Sequence, residues 1–353
     1  MDSSAEPVAT RLAHAEPALP FMMTSREVEE IFSDPLYRAL ISSKRFQRLN
    51  QIRFLGAIDY LLHPNGKSLN TRHTRYQHSL GVALLAKRLS LEVGWSQLTE
   101  RAFVAAALLH DIGHGPLSHS LEPVFREHFS VDHHGATAEV ILVGHGSEPP
   151  LAKTLAQFGI DADLVIDMIS NREGKWAPFF LGKFNLDTLD AISRCATYLH
   201  RSQLIAPPWA ILRAAHVGAT DSHQTLDAFW RLKDFVYSKL ILSPTGVRAD
   251  LNSQDFARRH LTEFKRAYFF ASEQELRRFV PKLFSSINAP RWDKAVIRGR
   301  LFEINIEKET PDERYVERRQ EVTIDFAYRP QDLGLGNASP RRLFDDDRIA
   351  SGN

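Results

Sequence analysis

A single cysteine, Cys195, stands in 353 residues, so no internal disulfide can staple the chain, and the cysteine-dense class of small secreted scaffolds is excluded. No run of about 18 apolar residues occurs, which leaves no candidate for a membrane-spanning helix. The start of the chain lacks a positively charged segment followed by an apolar stretch, so the reading is a cytoplasmic protein. An excess of charge of either sign is also missing, because 44 Lys plus Arg meet 43 Asp plus Glu. Nothing global therefore draws the chain to nucleic acid or to an anionic membrane, and neither partner is expected. No internal repeat is found, which excludes a solenoid.

What is present is the mixture of an ordinary globular protein, 43% hydrophobic and 25% charged, in a chain long enough to bury a large core. From "SREVEEIFSDPLYRALISSKRFQRLNQIRFLG" onward, apolar residues recur at spacings of three and four, as on amphipathic helices. This periodicity predicts helices near 34–54, 77–94, 98–113, 117–128, 132–143, 161–170, 186–201, 206–216, 223–241 and 254–286. Two alternating stretches, "VIRGRLFEINIE" and "QEVTIDFAY", predict strands of a small sheet. The fold class is mainly α, with a small C-terminal α+β appendage.

Histidine is unevenly placed. Ten of the 15 lie between His63 and His145. The stretch "LLHDIGHGPLSHS" sets His110, Asp111, His114 and His119 behind an apolar run, and His78 opens the helix "YQHSLGVALLAKRL". On a helix, His110 and Asp111 would point roughly 100° apart and meet only at a point between their directions. Asp187 lies in "FNLDTLDAISR", with Asp190 one turn later. Imidazole and carboxylate together suit Fe, Mn or Zn and, with more oxygen and water, Mg, so four ligands from three helices could hold one metal. Asp187 reads equally as the N-cap of its helix. A helical core rarely accepts so many polar groups unpaired, and their joint spacing favours the metal.

The set His78, His110, Asp111 and Asp187 resembles the H…HD…D motif of the HD-domain metal-dependent phosphohydrolases. The segments "FQRLNQIRFLG", "TRHTRYQHSLGVALLA", "ALLHDIGHGPLSHS" and "DHHGATAEV" resemble, in order and spacing, the deoxynucleoside triphosphate triphosphohydrolase branch over about residues 35–270. Branches carrying H-D-x-x-E-D or a G-Y-P stretch fit worse. The resemblance implies an HD-domain helical core over 25–245, between an N-terminal arm over 1–24 and a C-terminal region over 246–330 that completes the site. A disordered tail is expected over 331–353. It implies the four residues as ligands of a divalent transition metal (Mn, Fe, Zn, Ni or Co), with Mg as a companion, and a homo-oligomer acting on a nucleotide substrate. It further implies His114 and His133 as catalytic residues, His134 being the alternative to His133, and Arg75, His119, Tyr268 and Leu55 as substrate contacts.

The chain departs from that branch around the sugar. Thr188 replaces a phosphate-binding lysine, Ala191 a tyrosine against the nucleoside, and Cys195 an aspartate near the sugar. Phe54 stands where animal members of the branch have a glutamine, and His260 occupies an arginine position of the family. The resemblance thus implies hydrolysis of a deoxynucleoside triphosphate to deoxynucleoside and triphosphate, with altered sugar selectivity. A nucleoside monophosphate phosphatase and a non-catalytic nucleotide sensor are the alternatives.

Overall fold

Thr74 begins the longest helix with a reciprocal cap. Its hydroxyl accepts the Gln77 amide, the Gln77 side chain accepts the Thr74 amide, and two otherwise open donors are satisfied. The helix ends at Gly94, which adopts φ 74°. The structure is a computed structural model that describes residues 29, 31, 33–61, 73–199, 201, 206–218, 222–289 and 293–326. The arm expected over 1–24 and the tail over 331–353 lie outside the described residues.

The helices run in chain order as α1 (Pro35–Ser42), α2 (Lys44–Arg48), α3 (Arg75–Val93), α4 (Gln97–Leu109), α5 (Glu122–Phe129), α6 (His133–Leu142), α7 (Leu151–Gln157) and α8 (Ala162–Ser170). They continue as α9 (Ala177–Phe180), α10 (Leu186–Tyr198), α11 (Pro208–His216), α12 (Ser222–Val236), α13 (Pro244–Arg259), α14 (Glu273–Phe279) and α15 (Pro281–Ser286). Strands β1 (Lys294–Ile304) and β2 (Tyr315–Asp325), with the short α16 (Pro311–Arg314) between them, pair antiparallel from Lys294 opposite Asp325 to Ile304 opposite Tyr315. The fold is mainly α with a small two-stranded appendage. No helix among the described residues is long and apolar enough to cross a membrane.

Helices α3 and α4, joined by three residues, form a packed pair, with α10 against α3 and α12 against α10. Buried apolar residues from Ile31 to Tyr315 form one continuous core, in which each Leu or Phe contributes roughly 1.5–3 kcal/mol. Helix α10 approaches α3 closely because Gly81 has no side chain, since a Cβ there would lie 2.0 Å from Asp190 Oδ1. The hairpin is bolted to α12: Arg314 gives Asp227 a two-pronged pair at 2.9 and 2.8 Å, and the Tyr315 hydroxyl donates to Asp227 at 2.7 Å.

The periodicity located most of these helices but ran some together. The helix expected over 34–54 is α1, α2 and a 3-10 turn, because Ser43 caps α2 and breaks the run. The helix expected over 254–286 is α13, two 3-10 turns, α14 and α15, with Ser272 capping α14 and Pro281 opening α15. The expected helix 117–128 begins later, at Glu122, after a 3-10 turn over Ser118–Ser120. Helix α4 stops at Leu109 rather than near 113, and His110 is its C-cap. The glycines and proline of "DIGHGP" disfavour continuation there.

Candidate metal centre

Three segments gather four ligand-type side chains: His78, His110 and Asp187 can bring donor atoms within 4.8 Å of one another, and Asp111 adjoins both histidines. His78 stands in the second turn of α3, His110 and Asp111 at the exit of α4, and Asp187 in the first turn of α10. His78 Nε2 lies 3.2 Å from His110 Nε2, 3.0 Å from Asp187 Oδ1 and 3.5 Å from Asp111 Oδ2, and His110 Nε2 lies 3.5 Å from Asp111 Oδ1. Ligands held about 2.1 Å from one ion sit about 3.0–3.4 Å apart when adjacent, so these separations suit a single cation. His110 and Asp111 meet it from a turn, not from adjacent positions on a helix. Asp187 is not the cap of α10, because Asn185 is, accepting the Thr188 amide at 2.6 Å.

The outer atoms of both rings are taken. His110 Nδ1 donates to the Ala107 carbonyl at 2.8 Å, and His78 Nδ1 donates to Asp190 Oδ2 at 2.7 Å. With both rings neutral, as metal ligation requires, each Nε2 would present a lone pair to the space it shares with the carboxylate oxygens. Burial alone would lower the His78 pKa, yet its bonds to Asp187 and Asp190 and the charges of Asp190 and Asp111 raise it to about 9. Burial would also raise Asp111 and Asp187, but the neighbouring histidines, and Arg75 for Asp111, hold both carboxyls well below the usual range. The donor set calls for positive charge at its centre, which is the chemistry of a divalent metal site. Asp187, with a side chain 46% exposed, leaves the centre open on one side.

Arg75 backs this centre. It donates to Asp111 Oδ2 at 2.6 Å, to Ser118 Oγ at 3.0 Å and to the Phe54 carbonyl at 3.1 Å, which uses three of its five N–H groups. Asp190 is held by His78 and by Arg194, so both of its oxygens are occupied.

A second group of histidines adjoins the first. His114 Nε2 is 3.1 Å from Asp111 Oδ1, and the nitrogens of this buried ring, 1% exposed, have no hydrogen-bond partner among the described residues. Its ring stacks on His133, with centroids 4.4 Å apart and planes within 9°. His133 Nδ1 and His119 Nδ1 donate to the two oxygens of buried Glu122, at 2.8 and 3.0 Å. Burial would raise Glu122, but these two imidazoles drive its carboxyl far below the usual range, so it stays ionised. Burial and the charge of Arg75 push His114 well below the ordinary histidine value. Although His114, His119 and His133 can bring nitrogens within 4.8 Å of one another, two stacked rings cannot aim in-plane lone pairs at one ion. Gly113 permits this approach of α6, because a Cβ there would meet the Thr137 amide at 2.2 Å. His119 sits at the rim with a side chain 62% exposed, and His134 is exposed beyond His133.

The remaining expected contacts lie further out. The Leu55 amide donates to Asp59 at 2.8 Å, and Tyr268 stacks on Phe279 at 4.5 Å. The hydrogen bonds and ring contacts of the described residues join neither to the cluster. Phe54 is the apolar neighbour, its ring centroid 4.9 Å from that of His78 and 4.9 Å from the Arg75 guanidinium carbon. Cys195 is buried, and burial raises its thiol pKa. Sequence reasoning missed Glu122, Ser118 and Glu273. Only the Asp190 spacing of one turn after Asp187 had a local signal.

Residues 75–200 match the family model described as HD domain. The chain is 31% identical over 186 residues to the uncharacterized protein YwfO of Bacillus subtilis, covering 48% of this chain and 40% of that one. It is 39% identical over 98 residues to the deoxynucleoside triphosphate triphosphohydrolase SAMHD1 of Bos taurus, covering 26% of this chain and 16% of the relative. The chain thus spans less than half the length of these curated relatives. A solved structure of a hypothetical protein from Aquifex aeolicus shares the fold, with a TM-score of 0.58 and 18% identity over 83% of this chain and 96% of that one.

Proposed function

We propose that this HD-domain chain is a metal-dependent phosphohydrolase acting on nucleotides, in the manner of a deoxynucleoside triphosphate triphosphohydrolase. The observation that carries the reading is the convergence of ligand-type atoms: His78 Nε2 lies 3.2 Å from His110 Nε2, 3.0 Å from Asp187 Oδ1 and 3.5 Å from Asp111 Oδ2. His78, His110, Asp111 and Asp187 would hold the metal. A bound divalent ion supplies Lewis acidity at a phosphoryl oxygen and makes a nearby water more acidic.

The chain's own groups account for the rest. Arg75 keeps Asp111 oriented and has two N–H groups left for a phosphate oxygen. His114, whose nitrogens have no hydrogen-bond partner among the described residues, is proposed to take up and pass on a proton beside the scissile phosphate. Ionised Glu122 only accepts, so His119 and His133 carry hydrogen on Nδ1, and their Nε2 atoms take up or release the exchanged proton. The chain is proposed to divide into the core over 25–245 and the C-terminal region over 246–330, to work as a homo-oligomer and to reside in the cytoplasm. Mn, Fe, Zn, Ni and Co are the proposed metals, with Mg as a companion.

Incubating the purified chain with a nucleotide panel and each metal tests the reading through the anion released. Inorganic triphosphate indicates cleavage at the α-phosphate. Orthophosphate replaces this reading with a monophosphatase, and no release with any metal leaves the non-catalytic sensor.

Sugar selectivity is proposed to be weak. Phe54 presents an apolar face beside His78, Ala191 has no polar atom, Cys195 is buried, and Asp190 is occupied by His78 and Arg194. A site that hydrogen-bonds a hydroxyl rejects analogues lacking it by large factors, whereas an apolar wall discriminates by only about 1–3 kcal/mol.

A further inference from the structure

We infer that Glu273 is a positioning residue for the metal centre, acting through Ser118 and Arg75 on the ligand Asp111. Glu273 opens α14, far along the chain from the HD motif, and is buried. Its Oε1 accepts two backbone amides, Arg53 at 2.9 Å and Leu117 at 3.1 Å, and its Oε2 accepts the Tyr60 hydroxyl. These are the two backbone segments that hold Ser118. Leu117 directly precedes it, and the Arg53 carbonyl accepts the Ser118 hydroxyl at 2.8 Å. Ser118 Oγ in turn accepts Arg75 Nε at 3.0 Å, and Arg75 grips Asp111 Oδ2 at 2.6 Å.

The loop needs such a tie. Leu117 and Ser118 both adopt left-handed backbone conformations, φ 58° and 46°, which side-chain-bearing residues occupy only when surroundings impose them. The amide of Leu117 is turned by this conformation toward the Glu273 carboxylate. Arg48 reinforces the same junction from the other side, donating to the carbonyls of Ile112 at 2.9 Å, His114 at 2.8 Å and Ala271 at 3.1 Å. The segment ending at Glu273 is therefore fastened to both ends of the loop that carries His114 and Ser118.

Removing Glu273 frees the loop to relax, which releases Ser118 and lets the Arg75 fork swing off Asp111. Outer partners of metal ligands typically govern affinity by about 10–100-fold. The inference rests on the metal-centre reading, and the probe is Mn²⁺ alone, titrated against the full chain by electron paramagnetic resonance. Glu273→Ala and Ser118→Ala are each expected to weaken Mn²⁺ binding by about 10-fold or more. The double variant is expected to bind no more weakly than the worse single one, because both act through one relay. Glu273→Gln, which still accepts both amides, is expected to restore affinity to within about threefold of the unaltered chain. Multiplying losses in the double variant, or a Gln variant as damaged as the Ala variant, overturns the relay. Should Glu273→Ala lack a cooperative thermal transition, Ser118→Ala decides alone, and unchanged Mn²⁺ affinity there overturns it. An unaltered chain that binds no Mn²⁺ removes the metal-centre reading and this inference together, whereas the preceding outcomes remove this inference only.

Discussion

The two histidine groups are built from the same residue types and touch through Asp111, yet their geometry assigns them different chemistry. Around His78 and His110 the outer nitrogens are tied down and the inner nitrogens face each other at 3.2 Å beside Asp187 and Asp111, so positive charge is wanted between them. Around His114 and His133 the rings lie face to face at 4.4 Å, and one carboxylate, Glu122, orients His133 and His119. Tautomer and ring plane make the difference, because a ring binds a metal only along its in-plane lone pair. The first group suits an ion and the second suits a proton.

The sharpest way to separate the groups is to delete a member of the first. His110→Ala is expected to weaken Mn²⁺ binding by about 100-fold or more and to abolish hydrolysis while far-ultraviolet circular dichroism stays helical. Retained metal with full activity under metal-limited conditions would reverse the assignment. In the second group, His114→Ala is expected to keep the metal and to lower turnover by about 10²–10⁴, the usual worth of a positioned proton donor or acceptor. Loss of metal in that variant would merge the two groups into one.

Glu122→Gln tests the clamp rather than the rings. Turnover is expected to fall by about 10–100-fold with metal content unchanged, since glutamine keeps one acceptor oxygen and turns an amino group toward the other ring, so one imidazole loses the acceptor that fixes its tautomer. Equal turnover would show that the stacking on His114 suffices. The apolar side of the first group gives a smaller effect: kcat/KM for matched deoxy and 2',3'-dideoxy nucleoside triphosphates is expected to differ by less than about 10³-fold, and a larger preference would show that the sugar is read by polar contacts.

Away from both groups, Glu273 predicts a pH effect on stability. Burial outweighs its three hydrogen bonds and pushes its carboxyl up to about 7 from 4.5, with Tyr60 and Asp59 the titratable groups facing it. The folded chain then holds more protons than the unfolded one between these values, so this contribution to stability is full below about 4.5 and is lost as pH rises to about 7. The loss is on the order of 2–3 kcal/mol, and Glu273→Gln is expected to flatten that part of a urea-denaturation profile. An unchanged slope in the variant would assign it to another group.

Much of the centre was legible because its signals are local. "HDIGHG" places ligand-type side chains and loop-forming glycines within six residues, and Thr74 with Gln77 marks the start of the helix that carries His78. The helical class followed from spacing alone. The breaks at Ser43 and Ser272 were not legible, since a capping serine looks like any other polar residue until its hydroxyl is seen on a backbone amide. Leu55 and Tyr268 were named by resemblance, and their side-chain directions depend on neighbours distant in sequence.

By itself, the sequence determined the residue types that can bind a metal and the helices that carry them, because these depend on composition and on spacings within one or two turns. Only the tertiary structure decided that His110 leaves its helix to meet His78, that Asn185 rather than Asp187 caps α10, and that His133 rather than His134 stacks on His114. It also brought Glu273 to the amides of Arg53 and Leu117, more than 150 residues away in the chain. Such contacts join segments whose separation carries no periodic signal, and they exist only once the common core has brought the backbones together.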